Sequence, residues 1–152
     1  MGMGSPEENA LTLRAAAEVF VPGPPHDPTP GAADIHAELF ISHYLDFLIP
    51  GLAQGLPDLL DELSSTTFEG RSFVELSLEE RTTIFDILST HDVEQLRELP
   101  LILGVLAMAA VYGEWTGQDA EGVLKRRPLG WQLTGFDGPS RGRRKLLRRG
   151  EP

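Results

Sequence analysis

The sequence has no cysteine, which excludes disulfide bonds, thiolate metal ligands and thiol nucleophiles. It also has no glycine-rich phosphate-binding loop, and none of the Glu-x-x-His pairs with which helical bundles hold carboxylate-bridged di-iron centres. His36 and His43 are seven residues apart and would share a helix face, but we expect surface or partly buried histidines there rather than a metal site. These absences predict a chain without a catalytic residue or a metal site of its own.

Basic residues are scarce in most of the chain. Residues 1–140 contain seven Lys and Arg against twenty-two Asp and Glu, a net charge of −15, whereas residues 141–152 contain six against one, a net charge of +5. Most of the surface should therefore repel nucleic acid and anionic membranes. The acidic pairs Asp61-Glu62 and Glu79-Glu80 are expected to be solvated helix faces. We expect residues 141–152 to be a basic disordered tail, with binding to a partner subunit, nucleic acid or an acidic lipid surface as alternatives.

Long apolar runs are also missing. The most apolar stretch, residues 99–115, is shorter than the roughly 20 residues that a bilayer span requires, and it runs into Glu114. We interpret it as a buried helix with apolar side chains on nearly every side. Either the rest of the bundle or a partner chain could cover that helix, and we favour a partner.

Apolar spacing predicts an all-α fold, a small irregular bundle of five or six helices with a long Pro/Gly-rich connector and an extended C-terminal segment. The strongest signal is the capping box Ser77-x-x-Glu80, which predicts a helix from Leu78 to about Thr90. Asp92 is a candidate N-cap for a short helix, after which Pro100 would open the apolar helix. Pro57 is a candidate start of an earlier helix. The predicted organisation is a flexible N-terminus (1–8), a helical domain (9–116), an extended partner-wrapping segment (117–140) and the basic tail (141–152).

The stretch GWQLTGFDGP, residues 130–139, combines aromatic residues with three glycines and a proline after the last predicted helix. Ordering such a segment costs about 1–2 kcal/mol per residue in backbone entropy, and burying one large apolar side chain returns about 1.5–3 kcal/mol. A few aromatic anchors offset that cost only when they enter preformed pockets. We therefore expect this segment to lie in a groove of another polypeptide.

Three stretches, taken in order, resemble the gluconate 2-dehydrogenase subunit 3 family, the small gamma subunits of sugar and polyol dehydrogenases. LRAAAEVFVPGPPHDPTPGAADIHAELFI is similar to the family's opening helix, Pro-Gly pair and connector. TTFEGRSFVELSLEERTTIFDIL is similar to its middle block, and PLGWQLTGFDGP resembles its closing pattern of Trp, Gly, an aromatic residue and Gly-Pro. The resemblance covers most of residues 11–139. Each motif alone is common in proteins, so the resemblance is specific only through the order and spacing of the three stretches.

The resemblance implies a cofactor-free accessory subunit bound to a large FAD-containing oxidoreductase of the glucose–methanol–choline type, which oxidises sugars, glycosides or other alcohols. FAD is then expected in the partner subunit of a hetero-oligomer. Whether a cytochrome subunit belongs to that complex is left open. Trp131 and Phe136 would be hot-spot anchors, and Gly135 and Gly138 would allow close backbone approach. The predicted partner-binding residues are Tyr112, Trp115, Leu129, Trp131, Gly135, Phe136, Gly138 and Pro139.

Two expectations are open at this point. Family members commonly begin with a twin-arginine leader, which this sequence lacks, so we expect a cytoplasmic complex, or an exported one if a leader was removed. The alternative function is a free-standing helical adaptor or regulator whose basic tail, residues 141–149, binds an acidic partner.

Overall fold

The structure, a computed structural model, describes residues 4–136, which form six α-helices and no β-strand. This confirms the predicted all-α helical bundle. The helices are α1 (Pro6–Phe20), α2 (Ala37–Leu48), α3 (Leu52–Thr67), α4 (Leu78–Ser89), α5 (Glu94–Tyr112) and α6 (Leu129–Thr134). Short 3-10 turns are found at Ala33–Ile35, Phe73–Glu75 and Trp115–Gly117. The chain divides into a first compact unit that ends at Val111 and a second that begins at Tyr112.

Helix α1 is the centre of the first unit and contacts α2, α3 and α4. It begins earlier than the predicted residue 9, because the Ser5 side chain accepts a hydrogen bond from the Glu8 amide while the Glu8 carboxylate accepts one from the Ser5 amide. Proline at the first helical position needs no hydrogen-bond partner there. The apolar side chains that α1 to α4 bury completely include Leu13, Ile41, Leu45, Leu56, Leu60, Ile84 and Leu88.

An aromatic cluster joins α1, α4 and the 3-10 turn at Phe73–Glu75. The Phe85 ring lies 5.2 Å from the Phe20 ring and 5.9 Å from the Phe73 ring, measured between centroids. Arg81 lies over the Phe73 ring and forms a 2.9 Å ion pair with Glu18. These contacts attach the loop before α4 to the C-terminal end of α1.

Two buried prolines lie inside helices rather than at their starts. Pro57 is within α3, which begins at Leu52, and Pro100 is within α5, which runs without a break from Glu94. The prediction that Pro100 opens a separate helix is therefore wrong, and so is Pro57 as a helix start. A proline in a helix interior removes one hydrogen bond. Burial of both prolines against the bundle compensates for that loss.

The second unit, described from Tyr112 to Phe136, contains more order than the irregular segment predicted for residues 117–140. Asp119 accepts hydrogen bonds from the Val123 and Glu121 amides and closes a turn. The Leu129 amide donates to the Thr116 hydroxyl oxygen at 2.7 Å, where α6 begins. Helix α6 was not predicted, because its six residues are too few to show helical periodicity.

Candidate partner-binding surfaces

One face of α5 exposes a row of apolar side chains to solvent. Leu101, Val105 and Met108 are 70%, 58% and 47% exposed and, at positions i, i+4 and i+7, lie along one side of the helix. We call these three residues the α5 stripe. No charged residue occurs between Leu99 and Tyr112, so no charged side chain of α5 interrupts the stripe along that length.

The opposite face of α5 is buried in the first unit. Leu103, Ala107 and Ala110 are fully buried, and Gly104 brings the helix so close to α1 that an added Cβ would lie 3.0 Å from the Phe20 ring. The sequence-based expectation of an apolar helix is met, but only one side is covered by the first unit. By length and composition alone, the stretch Glu94–Gly117 would also suffice to cross a membrane, and 39% of its most apolar window is buried. Core helices of soluble proteins pass the same test.

The second unit exposes an aromatic pair. The Trp131 and Phe136 rings lie edge to face with centroids 5.2 Å apart, a favourable arrangement for two aromatic rings. Trp131 is half-buried and Phe136 is half exposed, so their own unit does not enclose the pair. Arg127 donates hydrogen bonds to the carbonyl oxygens of both residues, which holds the backbone of the pair in place.

Two glycines shape this aromatic pair for different reasons. Gly130 lies against the backbone carbonyl of Tyr112, and any Cβ at position 130 would collide with it. Gly135 ends α6 with a left-handed φ of +71°, which glycine adopts without a steric penalty, and has no neighbour within 4 Å of an added Cβ. The backbone turn thus accounts for Gly135, which was predicted to allow close approach to a partner.

The structure places most of the other predicted site residues in the second unit. Tyr112 is partly exposed at the end of α5, Trp115 is half-buried in its 3-10 turn, and Leu129 is half-buried at the start of α6. Gly138 and Pro139 lie outside the described residues, as does the basic tail at 141–152. The structure therefore describes six of the eight predicted residues.

A second apolar patch, at the C-terminal end of α2, was missed. Phe47, Leu48 and Ile49 are all more than half exposed, and Phe47 reaches 78%. Leu39 and Leu48 belong to the apolar spacing that predicts a helix in this stretch, and both are exposed. We call Phe47, Leu48 and Ile49 the α2 patch. The run FLI before Pro50 was the available signal.

Helix α2 also buries a charged side chain that sequence reasoning did not single out. The Glu38 side chain is 3% exposed and forms a 2.5 Å ion pair with Arg14 of α1, whose side chain is 34% exposed. Burial alone would raise the pKa of Glu38, but the Arg14 hydrogen bond, with smaller contributions from the Glu38 amide and His36, holds that pKa below its usual value. The pair joins α1 to α2.

Other polar residues are placed as follows. His36 precedes α2 in a left-handed conformation with Nδ1 3.2 Å from Glu38 Oε1, and His43 is exposed. Asp61 is not the solvated residue that we predicted, because it is partly buried and its carboxylate accepts a 2.7 Å hydrogen bond from the Phe73 amide. Glu80 caps α4 and pairs with Arg71. Within residues 4–136, no group of three or more acidic or histidine side chains is arranged to hold a metal ion.

A five-residue stretch, GPSRG at 138–142, has the Gly-x-Ser-x-Gly spacing that surrounds the nucleophile of α/β-hydrolases. In those enzymes the serine lies on a turn between a strand and a helix. Residues 4–136 contain no β-strand to supply that turn, and the stretch itself lies outside them. The spacing alone therefore gives no support for catalysis.

Comparisons of the chain with models of protein families, with curated proteins and with solved structures found no match. The resemblance to the gluconate 2-dehydrogenase subunit 3 family thus stays a prediction from the sequence.

Proposed function

We propose that this protein is a non-catalytic accessory subunit that binds and stabilises a large FAD-dependent oxidoreductase of the glucose–methanol–choline type, acting on sugars, glycosides or other alcohols. The kind of partner comes from the order of the three sequence stretches that resemble the gluconate 2-dehydrogenase subunit 3 family. The need for a partner is supported first by a structural observation, the α5 stripe.

The α5 stripe supports this proposal because of what its exposure costs. Fully burying a Leu, Val or Met side chain contributes about 1.5–3 kcal/mol. Scaled by the exposed fractions of Leu101, Val105 and Met108, covering the stripe would contribute about 3–5 kcal/mol. A fixed row of apolar side chains on a rigid helix is the usual form of a helix-in-groove contact, in which residues at i, i+4 and i+7 are the anchors.

The Trp131–Phe136 pair supports the proposal separately. Tryptophan is over-represented among the residues that dominate binding energy at protein interfaces, and an aromatic side chain orders few torsion angles when it binds. The Arg127 hydrogen bond to the Phe136 carbonyl and the close packing of Gly130 on the Tyr112 backbone restrict the conformations of this short helix before binding. A preorganised anchor loses less entropy on association than a flexible one.

In this proposal the oxidation chemistry belongs to the partner. FAD would be bound and reduced there, while this chain contributes apolar surface and stability. The complex should therefore contain flavin in proportion to the large subunit, and the isolated small subunit should be colourless.

The test is to co-express the tagged full chain with a candidate partner, a large FAD-dependent oxidoreductase from the same organism, and to purify the complex. The expected result is a stoichiometric complex with flavin absorbance. In the stripe variant Leu101→Gln/Val105→Gln/Met108→Gln, recovery of the flavoprotein should fall sharply, because glutamine keeps the helix and removes the apolar face.

The matched control is Leu39→Gln, which removes one exposed apolar side chain of α2 that lies outside the α2 patch. It should retain the flavoprotein. Recovery of a stable, soluble chain without any flavoprotein, or equal recovery with the stripe variant, would count against the proposed function.

A further inference from the structure

A groove of about 900 Å³ lies between α1 and α3 in the first unit, and it is strongly acidic. Its lining includes the carboxylates of Glu8, Asp58, Asp61 and Glu62 and no Lys or Arg side chain. Asp58 and Glu62 are exposed and one helical turn apart, so that both side chains lie on the same face of α3. We call this site the α1–α3 groove.

The carboxylates of the groove repel one another. Burial contributes most to a raised pKa of Asp61, and the charges of Asp58, Glu8 and Glu75 raise it further against the hydrogen bond from the Phe73 amide. The Gly4 amide is 3.5 Å from Asp58 Oδ1, a weak contact. A cation bound in the groove would relieve this repulsion.

Two buried polar residues of the groove have side chains without a hydrogen-bond partner among residues 4–136. Asn9 is 9% exposed and Thr12 is 3% exposed, and both line the groove. Neither side chain makes a hydrogen bond to another residue in the described range 4–136. An amide and a hydroxyl held in this way can accept hydrogen bonds from a ligand and donate to its carbonyl groups. These side chains are a sign of a binding site that does not depend on the acidic charge.

No Lys or Arg side chain of the first unit lines the groove to neutralise it. Up to Val111 the sequence contains four arginines and no lysine against eighteen Asp and Glu. Arg14, Arg71 and Arg81 each pair with a glutamate, and Arg97 donates to the backbone carbonyls of His91 and Asp92. The complementary charge must therefore come from outside this unit.

We propose that the α1–α3 groove binds a basic peptide segment of another polypeptide, with arginine or lysine side chains against its carboxylates. Leu11, Leu59 and Val74 in the lining suit the aliphatic stems of those side chains, while Asn9 and Thr12 suit the peptide backbone. A polyamine offers charge without a peptide backbone and would leave Asn9 and Thr12 without carbonyl partners. This proposal does not depend on the partner being a flavoprotein.

The test uses acetylated, fluorescein-labelled nona-arginine as the probe and measures its binding to the full chain by fluorescence anisotropy. In the groove variant Asp58→Asn/Glu62→Gln, affinity should fall about tenfold or more, because both carboxylates face the probe. The matched control Glu79→Gln/Asp86→Asn makes the same change in net charge at two exposed residues of α4 and should keep its affinity within about twofold.

Thr12→Val tests the groove at constant charge. It removes one hydroxyl and should weaken the nona-arginine complex about threefold to tenfold, in line with one lost hydrogen bond. Circular dichroism spectra that match the wild type establish that each variant is folded. Equal losses in the groove and control variants, no binding of nona-arginine to the wild type, or equally tight binding of spermine would each overturn the proposal.

Discussion

Replacing Arg14 alone should destabilise the first unit more than replacing Arg14 and Glu38 together. In Arg14→Met, the Glu38 carboxylate stays buried and loses its cation. Removing one partner of a buried pair costs about 3–5 kcal/mol, whereas replacing both with apolar residues is often neutral. Because Arg14 is one-third exposed, solvent screens part of that cost, and we expect about 3 kcal/mol for the single variant. The double variant Arg14→Met/Glu38→Met should stay within about 1 kcal/mol of the wild type.

Urea unfolding followed by far-ultraviolet circular dichroism measures these differences. The pKa of Glu38 is lowered in the folded state, so the pair stabilises the protein above the ordinary pKa of 4.5 and loses that contribution as the pH falls through the lower folded value. The gap between wild type and Arg14→Met should therefore shrink in acid. A single variant within about 0.5 kcal/mol of wild type, or a double variant less stable than the single, would refute this account of the pair.

Four further substitutions test local features. Gly130→Ala should destabilise the second unit by an overpacking cost of about 1–3 kcal/mol. Urea unfolding followed by tryptophan fluorescence measures this, because both tryptophans lie in that unit. An unchanged urea midpoint would contradict the contact with Tyr112. Gly55→Ala, its control in the open interior of α3, should instead stabilise the circular dichroism transition by about 0.5–1 kcal/mol. Ser77→Ala should destabilise α4 by about 1 kcal/mol through loss of its N-cap, whereas Ser77→Asp should keep most of that stability.

The features that the sequence predicted well depend on local chemistry. The capping box at Ser77 and Glu80 placed the start of α4 correctly, because two reciprocal hydrogen bonds need only four residues in order. The all-α class followed from apolar spacing over several turns. A pattern of this kind survives small errors at individual positions.

The features that the sequence missed depend on tertiary contacts. Pro57 and Pro100 suggested helix starts, but their burial in the bundle outweighs one lost hydrogen bond. Similarly, apolar spacing does not show that α2 buries Glu38, because the partner of that carboxylate, Arg14, is twenty-four residues away in the sequence. The partial burial of Asp61 was missed for the same reason, because it depends on a hydrogen bond from the Phe73 amide twelve residues away.

The candidate surfaces were predicted in part. The sequence identified α5 as apolar on nearly every side, and the structure divides it into a buried face and the α5 stripe. The aromatic residues Trp131 and Phe136 were singled out from composition alone. Their edge-to-face contact depends on α6 and its glycine cap, and a helix of six residues is too short to show periodicity in the sequence.

The most direct test of a partner-covered α5 is the affinity of the isolated flavoprotein subunit for the wild-type chain and for the stripe variant, measured by isothermal titration calorimetry. A loss of about 3 kcal/mol corresponds to roughly a hundredfold weaker binding. We therefore predict at least that loss for Leu101→Gln/Val105→Gln/Met108→Gln and a change within about threefold for the α2 control. Equal affinities for the wild type and the stripe variant would contradict the claim that a partner covers this face of α5.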